Sequence, residues 1–280
     1  MRVQSSMIHL PMTHSIRLLA CLAICTACVS CTNKEDTSGI VDDKNVETKE
    51  QTGPAPTKKS DDKVAKLKLG PNEVLRHAVF FKFKAESSKE EIQKVADAFR
   101  ALPSKIPEII DFHWGVNNSP EGKNDDFTHC FLLTFADDAG RKAYLPHKEH
   151  KAFGDVLRPH MAGVFVIDYV GTKEEKAPEK ALKHAVFFKF KDDANEEAIK
   201  EIEDAFAALP SKIDSIKGFE WGINNSPEKH DAGFTHCFMV TFDSEEGRVA
   251  YLPHDDHQAF VKILRPSLDK ARVLDFWAEK

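Results

Sequence analysis

Past its first 31 residues this chain has very little cysteine. Six cysteines occur in 280 residues, and Cys21, Cys25, Cys28 and Cys31 all fall within the first 31. Only Cys130 and Cys237 remain, at equivalent positions of a repeat. That excludes a disulfide framework, and each is read as a small buried hydrophobe on a strand. One residue present in two copies need not face itself, so no bridge between them is assigned. An excess of positive charge is also missing. Lys and Arg number 39 against 45 Asp and Glu, for a net charge of −6, and no basic stretch dominates. Nucleic acid is excluded as a partner on that ground. No apolar run reaches the roughly 20 residues that a good membrane span needs. Residues 32–70 contain no aromatic side chain and are rich in Lys, Asp, Glu and Thr. Such a segment cannot bury enough surface to offset its ordering entropy.

What the front end does contain is an export address. Arg17 precedes "LLACLAICTACV", Leu18 to Val29, an apolar run of signal-peptide length. It ends in small residues and then "VSC" at Cys31, after which the sequence is strongly polar. This resembles a bacterial lipoprotein signal, in which Cys31 would carry the lipid. Cys28 stands where Leu is usual, and "LLAC" at Cys21 is a better motif behind too short a run. Cleavage without lipid, giving a secreted or periplasmic soluble protein, is the alternative. The expectation is a signal over 1–31, a disordered tether over 32–72, and a folded part held at a membrane face by a lipid rather than a span.

The folded part is written twice. "RHAVFFKFK" at 76–84 returns as "KHAVFFKFK" at 183–191, "WGVNNSPE" at 114–121 as "WGINNSPE" at 221–228, and "FTHCF" at 127–131 again at 234–238. "YLPHKEH" at 144–150 returns as "YLPHDDH" at 251–257. The offset is 107 residues and holds without a gap from His77/His184 through Asp168/Asp275. Two domains of roughly 100 residues follow, over 73–171 and 182–280, joined by a polar linker at 172–181; a solenoid would have shorter units and more of them.

Each copy reads β-α-β-β-α-α-β. His77 to Lys84 is apolar on both faces at its centre, which predicts cover on both sides. Ile92, Val95, Ala96 and Phe99 recur at helical spacing behind Ser88 and Glu91, a capping box. A strand runs from about Ile109 to Val116, a polar turn-rich loop follows, and "FTHCFLLTF" is the third strand. Ala139 to Leu145 is a short helix. Pro146 suits the first turn of the next, and "GVFVIDYV" closes the copy.

That order with these words resembles the stress-responsive A/B barrel domain, a dimeric member of the ferredoxin-like α+β barrels. The resemblance rests on "HAVFFKFK", "FTHCF", the two "YLPHxxH" segments, and "DY" or "DF" in the last strand, and it covers nearly all of 75–170 and 182–277. It implies two domains packed sheet against sheet, either within the chain as a pseudo-dimer or between chains as a homodimer.

Pro146 near a helix start would place His147 and His150 in its first turn or two, where the positive end of the helix dipole disfavours imidazolium. A neutral imidazole serves as base or acceptor. Asp255 and Asp256 in the second copy favour the charged form, so the copies are expected to titrate differently. His77 opens the first strand, and His129 sits mid-strand with Phe127 and Phe131 at i±2, in need of a polar partner. In the family's plant polyketide cyclase, which closes a linear polyketide into an aromatic acid, the catalytic pair falls on Tyr144 and His150, and on Tyr251 and His257 in the second copy. The resemblance also brings His77, His129, His184 and His236 to the same pocket. A Tyr O–H that polarises a carbonyl and a His that takes an α-proton suit enolate chemistry.

A plainer reading stands beside this one: the same residues are fold signature, Tyr144 caps an apolar layer with its hydroxyl in water, and the chain is a non-catalytic stress or scaffolding module. The two differ on one observation. A pocket needs these side chains to converge on a void, whereas a scaffold fills it. No metal site is assigned, since zinc wants three or four ligands, Glu149 points away from His147 and His150, and Cys130 lies on the face opposite His129. No cofactor is assigned either. The ligand class is a small apolar or carbonyl-bearing molecule.

Overall fold

A computed structural model describes residues 67–173, 178 and 180–280. Residues 1–66, which hold Cys31 and nearly all of the stretches expected above to be a signal and a tether, lie outside the described residues, as do 174–177 and 179 of the expected linker. Among the described residues no helix is long and apolar enough to cross a membrane.

The first copy runs β1 (Glu73–Phe83), α1 (Lys89–Arg100), β2 (Ile109–Val116), β3 (His129–Phe135), α2 (Asp138–Tyr144), α3 (Lys148–Leu157) and β4 (Met161–Thr172). The second repeats it as β5 (Leu182–Phe190), α4 (Glu196–Ala207), β6 (Gly218–Ile223), β7 (His236–Phe242), α5 (Glu245–Tyr251), α6 (Asp255–Leu264) and β8 (Leu268–Trp277), with one 3₁₀ turn at Leu209–Ser211. Each copy forms a four-stranded antiparallel sheet, in the order β2-β3-β1-β4 and β6-β7-β5-β8.

The double-sided apolarity of β1 has the expected consequence. Leu75, Val79 and Phe81 point to the helices and pack with Val95 and Phe99 of α1 and Phe153 of α3. Ala78 and Phe80 point the other way, into a layer shared with Ala185, Phe187 and Cys237 of the second copy. Phe80, Phe165 and Phe187 meet there edge-on and tilted, with centroids 5.0–5.7 Å apart. Cys130 and Cys237 are both free and buried in this layer, and burial pushes both thiols up. Ser88 caps α1 with the reciprocal bonds expected of it: Glu91 N–H donates to Ser88 Oγ at 3.2 Å and Ser88 N–H to Glu91 Oε2 at 2.8 Å.

Edge strand β2 lies against β8, and β6 against β4, so each sheet covers the edges of the other and the two close as a barrel within one chain. The loops after β2 and β6 supply the seam. Asn118 N–H donates to the Asp275 carbonyl at 2.8 Å, and Asn225 N–H to the Asp168 carbonyl at 2.8 Å. Farther along, Val273 N–H donates to the Lys123 carbonyl and Val166 N–H to the His230 carbonyl, both at 3.1 Å. Each "NNSPE" loop is thereby laid along the last strand of the opposite copy.

Two local expectations need correction. Helix α3 begins at Lys148 with His147 as its N-cap, the imidazole Nδ1 accepting from Glu149 N–H at 3.2 Å, so Pro146 stands outside the helix. Strand β3 begins at His129, so the alternation does not extend back to Phe127, which packs in the layer between the sheets while Phe131 packs under the helices.

Candidate active site

The sequence placed Tyr144, His150 and His77 on three different elements, and the fold brings them together. Tyr144 ends α2 and is fully buried. His150 lies in the first turn of α3, and its ring sits 4.3 Å from the Tyr144 ring. His77 meets the other side of Tyr144 edge-on at 5.6 Å. They line a cavity of about 370 Å³ between sheet and helices, walled by Val79, Phe81, Phe99 and Phe153. The second copy repeats the arrangement with His184, Tyr251 and His257 around about 460 Å³.

Hydrogen bonds fix the state of each ring. His150 Nδ1–H donates to the Leu145 carbonyl at 3.0 Å, which leaves the lone pair on Nε2. His257 does the same to the Leu252 carbonyl at 2.9 Å. Burial lowers the pKa of both, partly offset by those carbonyls. The charged groups that reach these rings are His77, Glu228 and His147 for His150, and His184, Glu121 and Lys123 for His257; the first-turn acids Asp255 and Asp256 are not among them. The two histidines therefore shift in the same direction, contrary to the expectation drawn from those acids. The Tyr144 hydroxyl is not in water. Burial, with the charges of Glu228 and Asp168, raises its pKa well above the usual phenol value, so it remains an O–H donor. Among the described residues no partner lies within hydrogen-bond reach of Tyr144 Oη or Tyr251 Oη.

His77 is held from behind. Its Nδ1 lies 2.6 Å from Asp168 Oδ1, while Asp168 Oδ2 accepts from Arg141 at 2.8 Å. Arg141 also binds Asp138 at 2.6 Å and Asn225 Oδ1 of the opposite copy at 2.7 Å. Burial alone would lower the His77 pKa, but the Asp168 carboxylate more than offsets it and the pKa is raised. His184, Asp275, Arg248 and Asn118 form the matching chain at 2.7–2.9 Å. Each site is thus completed by a loop of the other copy.

His129 and His236 are not at the pockets. His129 pairs with Phe81, four residues along β1 from His77, which puts it about 13 Å away along the sheet. There it packs on Phe83 and bonds Thr128, and burial lowers its pKa to about 4. His236 bonds Glu203 of α4 at 3.0 Å instead. The resemblance implied that both line the pocket; pairing with Phe81 and Phe188 instead sets each of them four residues along the sheet from His77 or His184.

The sequence reading missed Glu228 and Glu121. Glu228, of the second copy, lines the first pocket, with Oε2 3.8 Å from His77 Nδ1; Glu121 lines the second, 3.9 Å from His184 Nε2. Their presence in both "SPE" segments was the available signal, as was the doubling of Arg141/Arg248 and Asp168/Asp275. Among the described residues no group of three His, Cys, Asp or Glu side chains is placed to hold a metal ion.

The profile of the family described as Stress responsive A/B Barrel Domain matches residues 75–171 and again 182–278. The stress-response A/B barrel domain-containing protein HS1 of Arabidopsis thaliana is 38% identical over 104 residues, covering 37% of this chain and 93% of that protein. Olivetolic acid cyclase of Cannabis sativa is 30% identical over 100 residues, covering 36% of this chain and 99% of that protein. Each is similar to a single copy. Among solved structures, an anthrone oxidase-like protein superposes with a TM-score of 0.51 at 11% identity over 74% of this chain and 92% of its own, a likeness of fold alone.

Proposed function

The chain belongs to the stress-responsive A/B barrel family, and from that premise we propose that its two pockets bind a small, largely apolar, carbonyl-bearing molecule and transfer a proton on it. One observation carries the reading. A buried tyrosine O–H without a protein partner and a neutral histidine with its lone pair on Nε2 share a cavity lined by apolar side chains. A module with a purely structural role would close this space with Phe and Leu. The likeness of one copy's length of this chain to olivetolic acid cyclase supports the choice of chemistry.

In the proposed step the ligand's carbonyl oxygen accepts from Tyr144 O–H. His150 Nε2 takes the α-proton, the C–H pair becomes the C=C bond of an enolate, and the carbonyl pair moves to oxygen. The enolate oxygen stays hydrogen-bonded to Tyr144, which is electrostatic stabilisation of the charge that develops. His77, fixed by Asp168 and Arg141, is a positioning group beside that tyrosine. Tyr251 and His257 act alike in the second copy. The test is exchange of α-protons of a β-diketone such as 3-hexyl-2,4-pentanedione in D₂O, followed by proton NMR. The His150→Ala/His257→Ala double variant is expected to lose about 10²-fold or more of the protein-dependent rate. An unchanged rate removes the acid–base step, and absence of any protein-dependent exchange in wild type leaves only a binding role.

We also propose, from the sequence alone, export of the chain to the cell envelope with a lipid on Cys31. The intact mass of the processed chain tests this: a lipid-modified N-terminal cysteine at residue 31 supports it, and an unmodified N-terminus there means cleavage without a lipid anchor.

A further inference from the structure

The proton that His150 takes in the proposed step has to leave. Its Nδ1–H is held by the Leu145 carbonyl, so the incoming proton sits on Nε2, in a cavity whose walls are largely apolar. Unless it is removed, the imidazolium hands it back to the same carbon and the base is not reset. Burial brings the His150 pKa down toward the carboxylate range, so a carboxylate is a competent acceptor.

A proton exit common to both sites must line both cavities and touch water. The Lys and Arg side chains there are already protonated and accept nothing. His77 and His184 are each only 2% exposed and lead nowhere. His230 lines the first cavity, and Lys123 holds the matching place in the second. Asp269 lines the second, and Ala162 is its counterpart in the first. Among the described lining residues that leaves Glu228 and Glu121, which are matching residues, each brought in by the loop of the opposite copy. Glu228 Oε2 is buried, has no hydrogen-bond donor among the described residues and lies 3.8 Å from His77 Nδ1, yet the side chain is 23% exposed. Glu121 Oε1 lies 3.9 Å from His184 Nε2 while its Oε2 accepts from Lys123 Nζ at 2.8 Å, and the side chain is 17% exposed. Each carboxylate therefore reaches inward to the histidines and outward to water. Its charge acts on Tyr144 and His150 in the first site and on Tyr251 and His257 in the second.

We propose that Glu228 and Glu121 are the proton exits of the two sites, each lent by the opposite copy. The His150 Nε2–H bond breaks with its electron pair left on nitrogen, an O–H bond forms on the Glu228 carboxylate, and a solvent water takes that proton, which returns imidazole and carboxylate to their starting states. Glu121 does the same for His257. This rests on the reading of the cavities as proton-transfer sites and deepens it, since neither copy is then a complete catalyst without the other's loop.

The test is the α-proton exchange of 3-hexyl-2,4-pentanedione by the full chain in weakly buffered D₂O. Glu228→Ala/Glu121→Ala is expected to slow exchange at saturating ligand by about tenfold or more, while the affinity changes by less than about twofold. Affinity is read from the methyl signals of Val79 in the first cavity and Val186 in the second. Added formate should restore the rate of this variant in a saturating manner, since it brings a carboxylate into the space the side chain left. Wild type should not respond to formate, and a misfolded chain cannot show such a gain. Glu228→Gln/Glu121→Gln keeps the shape without the basicity and should stay slow. An unchanged rate in either double variant, a loss in the Ala variant that formate does not restore, or a loss that follows weakened binding overturns the relay while the pocket reading stands. If wild type shows no protein-dependent exchange, the proton-transfer step fails and the relay fails with it.

Discussion

A buried hydroxyl with no partner is costly to a folded protein, and Tyr144 and Tyr251 each carry one. Removing the oxygen should therefore cost nothing in stability. Tyr144→Phe/Tyr251→Phe is expected to match or exceed wild type in urea unfolding, by up to about 1 kcal/mol per site, while losing ligand binding and proton exchange. A variant both less stable and unable to bind would return these tyrosines to a packing role. The histidines divide by sign. His129, His150, His236 and His257 are all lowered, by burial first. For each, the unfolded chain takes up a proton that the folded one refuses, so their contribution is complete above the unfolded value near 6.5 and is lost as pH falls through the window toward the folded pKa, about 4 for His129. His77 runs the other way. Its folded pKa is raised by Asp168 against the effect of burial, so its contribution is present below the unfolded value and is lost as pH rises through the folded one. Four groups against one should make the melting temperature fall between pH 6.5 and 4. His129→Gln should flatten that fall, which a Tm-versus-pH series will show.

At the scale of the element, the start of α3 decides where His150 points. The helix is capped by the His147 imidazole rather than begun at Pro146, and this sets His150 in the first turn with its Nδ1–H over the Leu145 carbonyl. His147 does not line the cavity. His147→Ala should cost about 1 kcal/mol in denaturant unfolding, and His147→Asn, which restores a capping acceptor, should recover it. Ligand binding should be unchanged in both. Strand register accounts for the misplaced pair. His129 and His77 share a face, but antiparallel pairing sets His129 across from Phe81 and His77 across from Leu133.

Across the whole molecule, the copies have diverged where they meet. Arg272 is buried between the sheets, stacked on Phe127, Phe165 and Phe234 at 4.2–4.7 Å and bonded twice to Asp125 of the first copy at 2.6 and 2.9 Å. The residue matching Arg272 in the first copy is Phe165, and the one matching Asp125 in the second is Ala232. Two first copies would set Asp125 without its cation, and two second copies would bury an arginine without its carboxylate. The pairing suits one copy of each, as a single chain supplies. Asp125→Ala is expected to destabilise the chain by about 2–4 kcal/mol, and adding Arg272→Phe should restore most of that, measured as a non-additive cycle in urea. The seam itself needs glycine. A Cβ on Gly115 would stand 2.5 Å from the Trp277 carbonyl oxygen, and one on Gly222 2.9 Å from Tyr169 Cβ, so the backbone of each β2-type edge touches the other copy directly.

The amino-acid order alone determined the duplication, the element order within each copy, the capping of α1 and the double-sided apolarity of β1, because these depend on local periodicity and on residues only a few positions apart. It also marked Tyr144, His150 and His77, which the 107-residue repeat writes out twice. Only the tertiary structure decided that His129 stands apart from them, since distance along a sheet is set by strand register and not by spacing in the chain. Only it showed that Glu228 and Asn225 serve the first site while Glu121 and Asn118 serve the second, because the loops that carry them are fixed by hydrogen bonds between backbones of different copies. A contact across the barrel leaves no periodic trace. The differences between the two loops, Lys123 against His230 among them, reach the pockets only because each loop lies along the opposite copy's last strand.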